Sequence, residues 1–271
     1  MKKVSIITIS YNNAKGLLRT IESVVGQTYT DYEYIVIDGG STDESREIIN
    51  SFSDKITYWV SEPDNGVYNA MNKGIAVAKG EYLHFLNSGD SYASEDVLQK
   101  TFSREYIEPL LRGIQICDYG THQIKWENLG NRQVTLYDMF VNTMLHQATF
   151  IRRDMFEKYG LYDETLKIVS DWKFFFLTIL GGEHTAFLDL DVVIFEMEGI
   201  STNKTHGEYH LEERRQVIKE LMPHNLLTDY ERLRMLEQEA YIPKFIKSNR
   251  LIYCSFRVLY KLFKPIKIHL L

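Results

Sequence analysis

The feature that most constrains this chain is a repeated unit near its start: a short β-branched run, a polar cluster, then apolar residues at helical spacing. Val4–Ile9 reads as a buried strand and ends in Ser10-Tyr11-Asn12-Asn13, a turn cluster. Leu17, Leu18, Ile21, Val24 and Val25 then mark one face of an amphipathic helix. Tyr34–Ile37 is a second strand, closed by Asp38-Gly39-Gly40, and Ser41-Thr42-Asp43-Glu44 offers hydroxyl caps to a helix through Ile48, Ile49 and Phe52. Ile56–Val60 reads as a third strand, Val67–Ala78 as a helix and Tyr82–Leu86 as a fourth strand. Such alternation requires right-handed crossovers and an α/β fold with a mostly parallel central sheet flanked by helices. Ligands of these sheets bind beyond the carboxyl ends of the strands. The four polar clusters there, Ser10–Asn12, Asp38–Gly40, Glu62–Gly66 and Asn87–Asp90, should meet at one cleft.

Later segments are less regular. Residues 100–135 carry few strong signals, Thr149–Arg152 suggests a short strand, and a helix follows around Arg153–Tyr159. Asp171–Leu180 is helical in pattern and stopped by Gly181-Gly182, Phe187–Phe195 reads as a strand, and 208–222 and 227–239 as charged amphipathic helices. The 271 residues suffice for one large core or a core plus an appendage. Two cysteines, Cys117 and Cys254, form no CxxC pair, so neither a disulfide framework nor a cysteine zinc site is expected and a reducing cytoplasm fits. The apolar stretch after Lys2-Lys3 is too short and too polar for a secretory leader.

Charge is unevenly distributed. Residues 240–271 carry Lys244, Lys247, Arg250, Arg257, Lys261, Lys264 and Lys267 without an acid, so this segment is +7 and the rest −13 within an overall −6. The body therefore excludes nucleic acid as a partner. Interleaved with Phe245, Ile246, Leu251, Ile252, Phe256, Leu259, Leu262 and Phe263, the cations fit either an interfacial helix on anionic lipid or a helix packed on the domain with a basic outer face.

The run VSIITISYNNAKGLLRTIESVVGQTYTDYEYIVIDGGSTDES, then EPDNGVYNAMNKGIAVAKGEYLHFLNSGD, HQATFIRRDMFEKYGLYDETL and SDW, resembles the family 2 glycosyltransferases of bacterial surface-polysaccharide type. The segments follow the family's order over roughly residues 3–200. The resemblance implies a GT-A (nucleotide-diphospho-sugar transferase) fold over residues 1–210, with 211–271 a helical C-terminal extension ending in the basic amphipathic tail. It also implies inverting transfer of a sugar from a UDP- or other nucleotide-sugar to an acceptor hydroxyl on a lipid-linked glycan. The expected setting is the cytoplasmic face of the inner membrane, with the protein peripheral and held by the tail.

A nucleotide-sugar needs acceptors for ribose and base and cations for its diphosphate. Ser10 and Tyr11 lie where the first strand meets this ligand. Asp38 is placed to accept from ribose or base, with Gly39 allowing close backbone approach, although an Asx turn is the alternative. Asp64, Asn65 and Asn72 resemble the donor-site loop and helix, Asn72 lying two turns on and able to face the cleft. Where many relatives carry a DxD or SDD cluster, this chain has Asn87-Ser88-Gly89-Asp90, and Gly39 stands where a second Asp is common. Asn87 offers a carbonyl oxygen, and Asp90 alone remains to hold one Mn²⁺ or Mg²⁺, which accepts a single carboxylate plus diphosphate oxygens and waters. His206 is a further candidate for that site from a late loop. Asp171 in Ser170-Asp171-Trp172 matches the family's general base, or else Ser170-Asp171 caps the helix. His146, Gln147 and Trp172 are the expected acceptor side, with a structural histidine equally consistent for His146. The thinned acidic clusters leave a rival, a non-catalytic nucleotide-sugar-binding partner of a glycan-assembly complex. A Rossmann oxidoreductase is disfavoured because no GxGxxG follows the first strand.

Overall fold

A computed structural model describes residues 2–127, 129–197 and 207–263. The first half is wound as the sequence requires. β1 (Val4–Ser10), β2 (Tyr32–Asp38), β3 (Tyr58–Ser61) and β4 (Tyr82–Phe85) are parallel in the order β3-β2-β1-β4. α1 (Ala14–Val25), α2 (Ser45–Ser51) and α3 (Val67–Val77) are the crossovers. β1 is buried on both faces, as expected of a central strand covered by helices on either side. Leu17, Ile21 and Val24 of α1 join Val4, Ile6, Tyr34 and Val36 in the core. Burial of each such side chain contributes about 1.5–3 kcal/mol. α2 departs from the expected capping: the Ser41 hydroxyl turns back to Asp38, and the N-cap residue Glu44 makes no side-chain cap.

The middle of the chain extends this sheet with mixed direction. β5 (Ser91–Tyr92), α4 (Val97–Thr101), β6 (Leu110–Asp118), β7 (Gln123–Trp126) and α5 (Leu136–Val141) are followed by a 3₁₀ turn at His146–Ala148. Then come β8 (Thr149–Arg152), α6 (Asp154–Tyr159), α7 (Ser170–Leu180) and β9 (Thr185–Glu196). The full order is β3-β2-β1-β4-β8-β6-β9-β5, with β7 on β6. β8 is antiparallel to both its neighbours, and β9 is parallel to β6.

The β6–β7 hairpin occupies the region without strong signals. Arg112 interrupts the apolar pattern of β6 but is buried, 4% exposed, its guanidinium donating to Thr185 Oγ1 at 3.1 Å and to the Arg132 carbonyl at 2.9 Å. The partners that make this charge tolerable lie far away in sequence, so periodicity could not reveal them. Gly113 sits where β6 shifts register against β9; a Cβ there would lie 2.2 Å from Val192.

α8 (Gly207–Leu221), α9 (His224–Ser248) and α10 (Arg250–Phe263) complete the described chain. Contacts divide it into two compact units, Met1–Val217, which holds the whole sheet, and Ile218–Leu271, which holds α9 and α10. Among the described residues no helix is long and apolar enough to cross a membrane.

Candidate functional site

The four polar clusters do converge on the carboxyl edge of β1–β4, tied by hydrogen bonds between loops. The Ser10 carbonyl accepts from Gly39 N–H at 2.8 Å, the Asp38 carbonyl from Glu62 N–H at 3.0 Å, and the Ile9 carbonyl from Ser88 N–H at 3.0 Å. Asn12, in the left-handed region at φ 48°, donates its N–H to Ser41 Oγ (2.8 Å) and accepts at Oδ1 from Thr42 N–H (2.8 Å). Asparagine tolerates that conformation better than most residues. Asn13 caps α1 through Gly16 N–H at 3.1 Å while its amide donates to the Ser88 carbonyl at 3.1 Å.

The residues expected to bind the donor fall into three groups. Tyr11 (65% exposed), Asp64 and Asn65 stand at the rim. Gly39 keeps room for Asp64, since a Cβ there would lie 2.5 Å from Asp64 Oδ2 and 3.3 Å from the Tyr11 ring. Asp38 and Asn72 instead turn inward, against the expectation of direct contact. Asp38 is fully buried and its oxygens accept from Ser41 N–H (2.9 Å), the Ser41 hydroxyl and the Ser61 hydroxyl (2.6 Å), so the turn-forming alternative is the one observed. Asn72 holds both backbone groups of Tyr162, accepting its N–H at 3.0 Å and donating to its carbonyl at 2.9 Å, and also donates to Glu164 at 2.8 Å. Its amide therefore faces the 160s loop, not the cleft.

Ser10, Asn87 and Asp90 line the interior of the same edge. Among the described residues, Ser10 Oγ and Asn87 Oδ1 are buried without a hydrogen-bond partner. Buried polar atoms are nearly always paired, so these two, at the ends of β1 and β4, are open to a further hydrogen-bond or metal partner. Asp90 is 5% exposed, with Oδ1 accepting from Glu196 N–H at 3.2 Å. Burial pushes its carboxyl up to about 8, opposed by the Glu196 N–H and by Arg19, with the Glu196 charge adding to the rise. Thr20 fixes the turn, its hydroxyl accepting from Gly89 N–H (3.0 Å) and donating to the Asp90 carbonyl (2.6 Å).

Asp171, the expected base, lies in the first turn of α7, half-buried, with the Tyr68 hydroxyl 2.9 Å from its Oδ1. The N-cap position is Val169, without a side-chain cap, and Ser170 Oγ accepts from Asp163 N–H. Asp171 is thus not occupied in capping its own helix. Tyr68 opens α3 at the carboxyl edge, so Asp171 reaches the same edge as Asp90. Burial, and then the Asp171 charge, hold the Tyr68 phenol well above its ordinary pKa, so it stays a donor.

His146 and Trp172 are not presented to an acceptor. His146 is 4% exposed, bonded through Nε2 to the Tyr162 hydroxyl at 2.8 Å and stacked on Phe85; burial lowers its pKa and keeps it neutral. Trp172 is core, its Nε1–H donating to the Met139 carbonyl at 2.9 Å. Gln147 is half-buried and its backbone carbonyl accepts from His84 Nε2 at 2.9 Å. His206 lies outside the described residues.

The sequence profile of Glycosyl transferase family 2 matches residues 5–160, which run from β1 through α6 and include every rim loop described above. The chain belongs to glycosyl transferase family 2.

Relatives agree with that membership. An uncharacterized glycosyltransferase of Mycobacterium tuberculosis is 35% identical over 63% of this chain and 66% of its own length. A PGL/p-HBAD biosynthesis glycosyltransferase of Mycobacterium bovis is 34% identical over 63% and 67%. The match thus spans just under two thirds of the M. tuberculosis relative's length. Among solved structures, S. aureus TarS 1-349 in complex with UDP-GlcNAc superposes with TM-score 0.63 at 19% identity, covering 74% of this chain and 61% of that one. The mannosyltransferase PcManGT of Pyrobaculum calidifontis, in complex with GDP-Man and Mn²⁺, gives 0.56 at 14% identity, covering 79% and 61%. These likenesses establish the α/β GT-A fold.

For a family 2 chain the question of a metal follows directly. Among the described residues no group of three or more His, Cys, Asp or Glu side chains is placed to cage an ion. The donor set fits an ion that brings most of its own ligands: one hard carboxylate at Asp90 and one unpartnered amide oxygen at Asn87. Residues that sequence reading missed are those whose roles depend on distant partners. Tyr68 is a plain aromatic at the start of a helix until Asp171, 103 residues away, meets it. Glu196 and Arg19, paired at 2.6 Å beside Gly89, belong to opposite ends of the domain sequence. Nothing local marks either.

Proposed function

We propose that this family 2 glycosyltransferase moves a sugar from a nucleoside diphosphate, UDP being the leading candidate, to an acceptor hydroxyl with inversion. The observation that carries the reading is Asp171: a carboxylate at a helix start, relieved of capping, on the same sheet edge as the orphaned Ser10 Oγ and Asn87 Oδ1. In the single displacement, the acceptor O–H gives its proton to Asp171 as the oxygen bonds the anomeric carbon. The bond from that carbon to the diphosphate oxygen breaks on the opposite face, and the nucleoside diphosphate leaves with the electron pair. Tyr68 keeps Asp171 oriented, its hydroxyl proton shared between Oδ1 and the Ile168 carbonyl, and the other carboxylate oxygen faces the acceptor. Tyr11, Asp64 and Asn65 receive the nucleoside at the rim; Asp38, Gly39 and Asn72 shape the pocket from behind. Asp90 and Asn87 would hold a divalent ion, Mn²⁺ or Mg²⁺, whose chemistry is to neutralise the leaving diphosphate as a Lewis acid.

The TarS complex contains UDP-GlcNAc and the M. bovis relative is named for PGL/p-HBAD biosynthesis, which supports a nucleotide-sugar donor and a glycan or lipid-linked acceptor. Thermal shift with UDP-GlcNAc, UDP-Glc and GDP-Man, each with and without Mn²⁺, tests the donor site. One donor should raise Tm by roughly 5–10 °C at a hundredfold excess over Kd, the equivalent of about 2.7 kcal/mol. The product's anomeric configuration, read by NMR, should be inverted. No shift with any nucleoside diphosphate sugar, or a retained anomer, would sink the proposal.

The basic tail extends the reading to the membrane surface. α10 is a single helix on which Leu251 (81% exposed) and Leu259 (52%) stand in solvent, with Arg257 against Tyr253; Lys264 and Lys267 lie outside the described residues. Apolar side chains set among seven cations suit an anionic lipid surface, each cation contributing about 1 kcal/mol. In flotation with vesicles containing anionic phospholipid, the full chain should float at low salt and remain at the bottom with neutral vesicles. Equal flotation with both vesicle types, or with neither, counts against a lipid-binding tail.

A further inference from the structure

Helix α8 carries no motif and lies beyond the stretch matched to the family profile, yet it grips the segment that holds Asp171 at two points. Glu213 places its carboxylate on three successive backbone N–H groups: Lys167 at 2.7 Å to Oε1, and Ile168 at 3.0 Å and Val169 at 3.3 Å to Oε2. These N–H groups belong to the segment that leads into α7 and ends at its N-cap residue, Val169. The neighbouring Arg214 lies 4.4 Å from the Trp172 ring centroid. It donates to the carbonyls of Met139 (3.0 Å) and Asn142 (2.6 Å), the same two that accept from Trp172 Nε1–H. Asp171 therefore sits between a backbone run fixed by Glu213 and an indole fixed beside Arg214.

We infer that Glu213 is a positioning residue for the transfer step: an anion supplied from α8 that pins the backbone leading into α7 and so holds the Asp171 carboxylate toward the acceptor. One carboxylate that accepts from three successive N–H groups restricts the backbone of the segment that sets where α7 begins, and so where its first-turn residue Asp171 stands. The Tyr68 hydroxyl lies 2.6 Å from the Ile168 carbonyl and 2.9 Å from Asp171 Oδ1, its single proton shared between these two acceptors. Tyr68 and Glu213 thus hold the same residue from two directions, one at its carbonyl and one at its N–H. Half-buried His210, one turn before Glu213, is within electrostatic reach of Asp171 and borders the same place.

The inference rests on Asp171 acting as the base, and the test separates the two. Glu213→Gln keeps the side chain's size but sets an amide N–H₂ against backbone donors. Steady-state transfer, measured well below the Tm of each variant, should show kcat reduced about 10- to 100-fold, the scale of a misplacement near 1 Å. Donor KM should stay within about twofold, because the donor loops are on other elements. Val217→Ala, which trims a buried side chain one turn further along α8, serves as the folding control and should lower Tm while leaving kcat close to wild type. Wild-type kcat in Glu213→Gln overturns the inference, as does an equal loss of kcat in Val217→Ala. If Asp171→Asn itself retains full transfer, the reading of the base fails instead, whatever Glu213 does.

Discussion

Replacing Asp171 by asparagine is expected to lower kcat for transfer about 10²–10⁴-fold, the range for loss of a positioned general base. The fold should be indifferent, because the substituted side chain keeps an oxygen to accept from the Tyr68 hydroxyl, as Oδ1 of Asp171 does. Donor KM and Tm should therefore stay near wild type, a pattern that marks an interaction made only in the transition state. The prediction also decides between the enzyme and a non-catalytic nucleotide-sugar-binding partner. A binding partner would hold donor equally well with either residue and turn over with neither. Single-turnover transfer and donor-induced thermal shift, measured on the same samples, check both halves. Transfer by Asp171→Asn within about threefold of wild type would end the assignment.

The second large effect belongs to Asp90, where function and stability are expected to move in opposite directions. Its carboxyl is raised by burial from 3.8 to about 8 in the folded chain. The folded state then binds more protons than the unfolded chain, so stability is complete below about pH 4 and is lost as pH climbs toward 8. At pH 7 the loss is on the order of 4 kcal/mol. Asparagine keeps the acceptor for the Glu196 N–H but has no charge to bury. Asp90→Asn should accordingly melt roughly 5–15 °C higher at pH 7–8, with the gap closing near pH 4. Transfer should fall about 10²–10³-fold, as when one preorganised electrostatic group is removed from an active site. Melting curves across that pH range, beside rates at saturating donor, provide the check. A variant that melts no higher than wild type at pH 8 would show that burial does not strain Asp90. Unchanged rates would remove it from the donor site. Such a trade, stability given up for a poised site, is common in enzymes.

How far the site could be read in advance depended on how local each cause was. Strand-end clusters are set by short-range chemistry: a β-branched run stops where Ser10-Tyr11-Asn12 or Asp38-Gly39-Gly40 begins, and parallel winding then brings those ends to one edge. The candidacy of Asp171 also rests on local features, its place at the start of an aromatic helix and its resemblance to a family motif. The orientation of a side chain at such an edge is another matter. Asp38 and Asn72 have the residue type of ligand-binding groups, yet Ser41, Ser61 and the Tyr162 backbone claim their polar atoms. His146 likewise joins Tyr162 in the interior.

By itself the sequence determined the α/β winding, the edge on which the polar clusters gather, the family, and the uneven charge, because periodicity, turn residues and composition act within a few residues of one another. Only the tertiary structure decided which polar groups point inward, that Arg112 could be buried in β6, that β8 runs against its neighbours, and that Glu213 holds the backbone leading into the helix that bears Asp171. Those outcomes rest on hydrogen bonds between residues from tens to more than a hundred positions apart. A buried polar group is stable only when a partner arrives, and which partner arrives is settled by packing, not by neighbours along the chain.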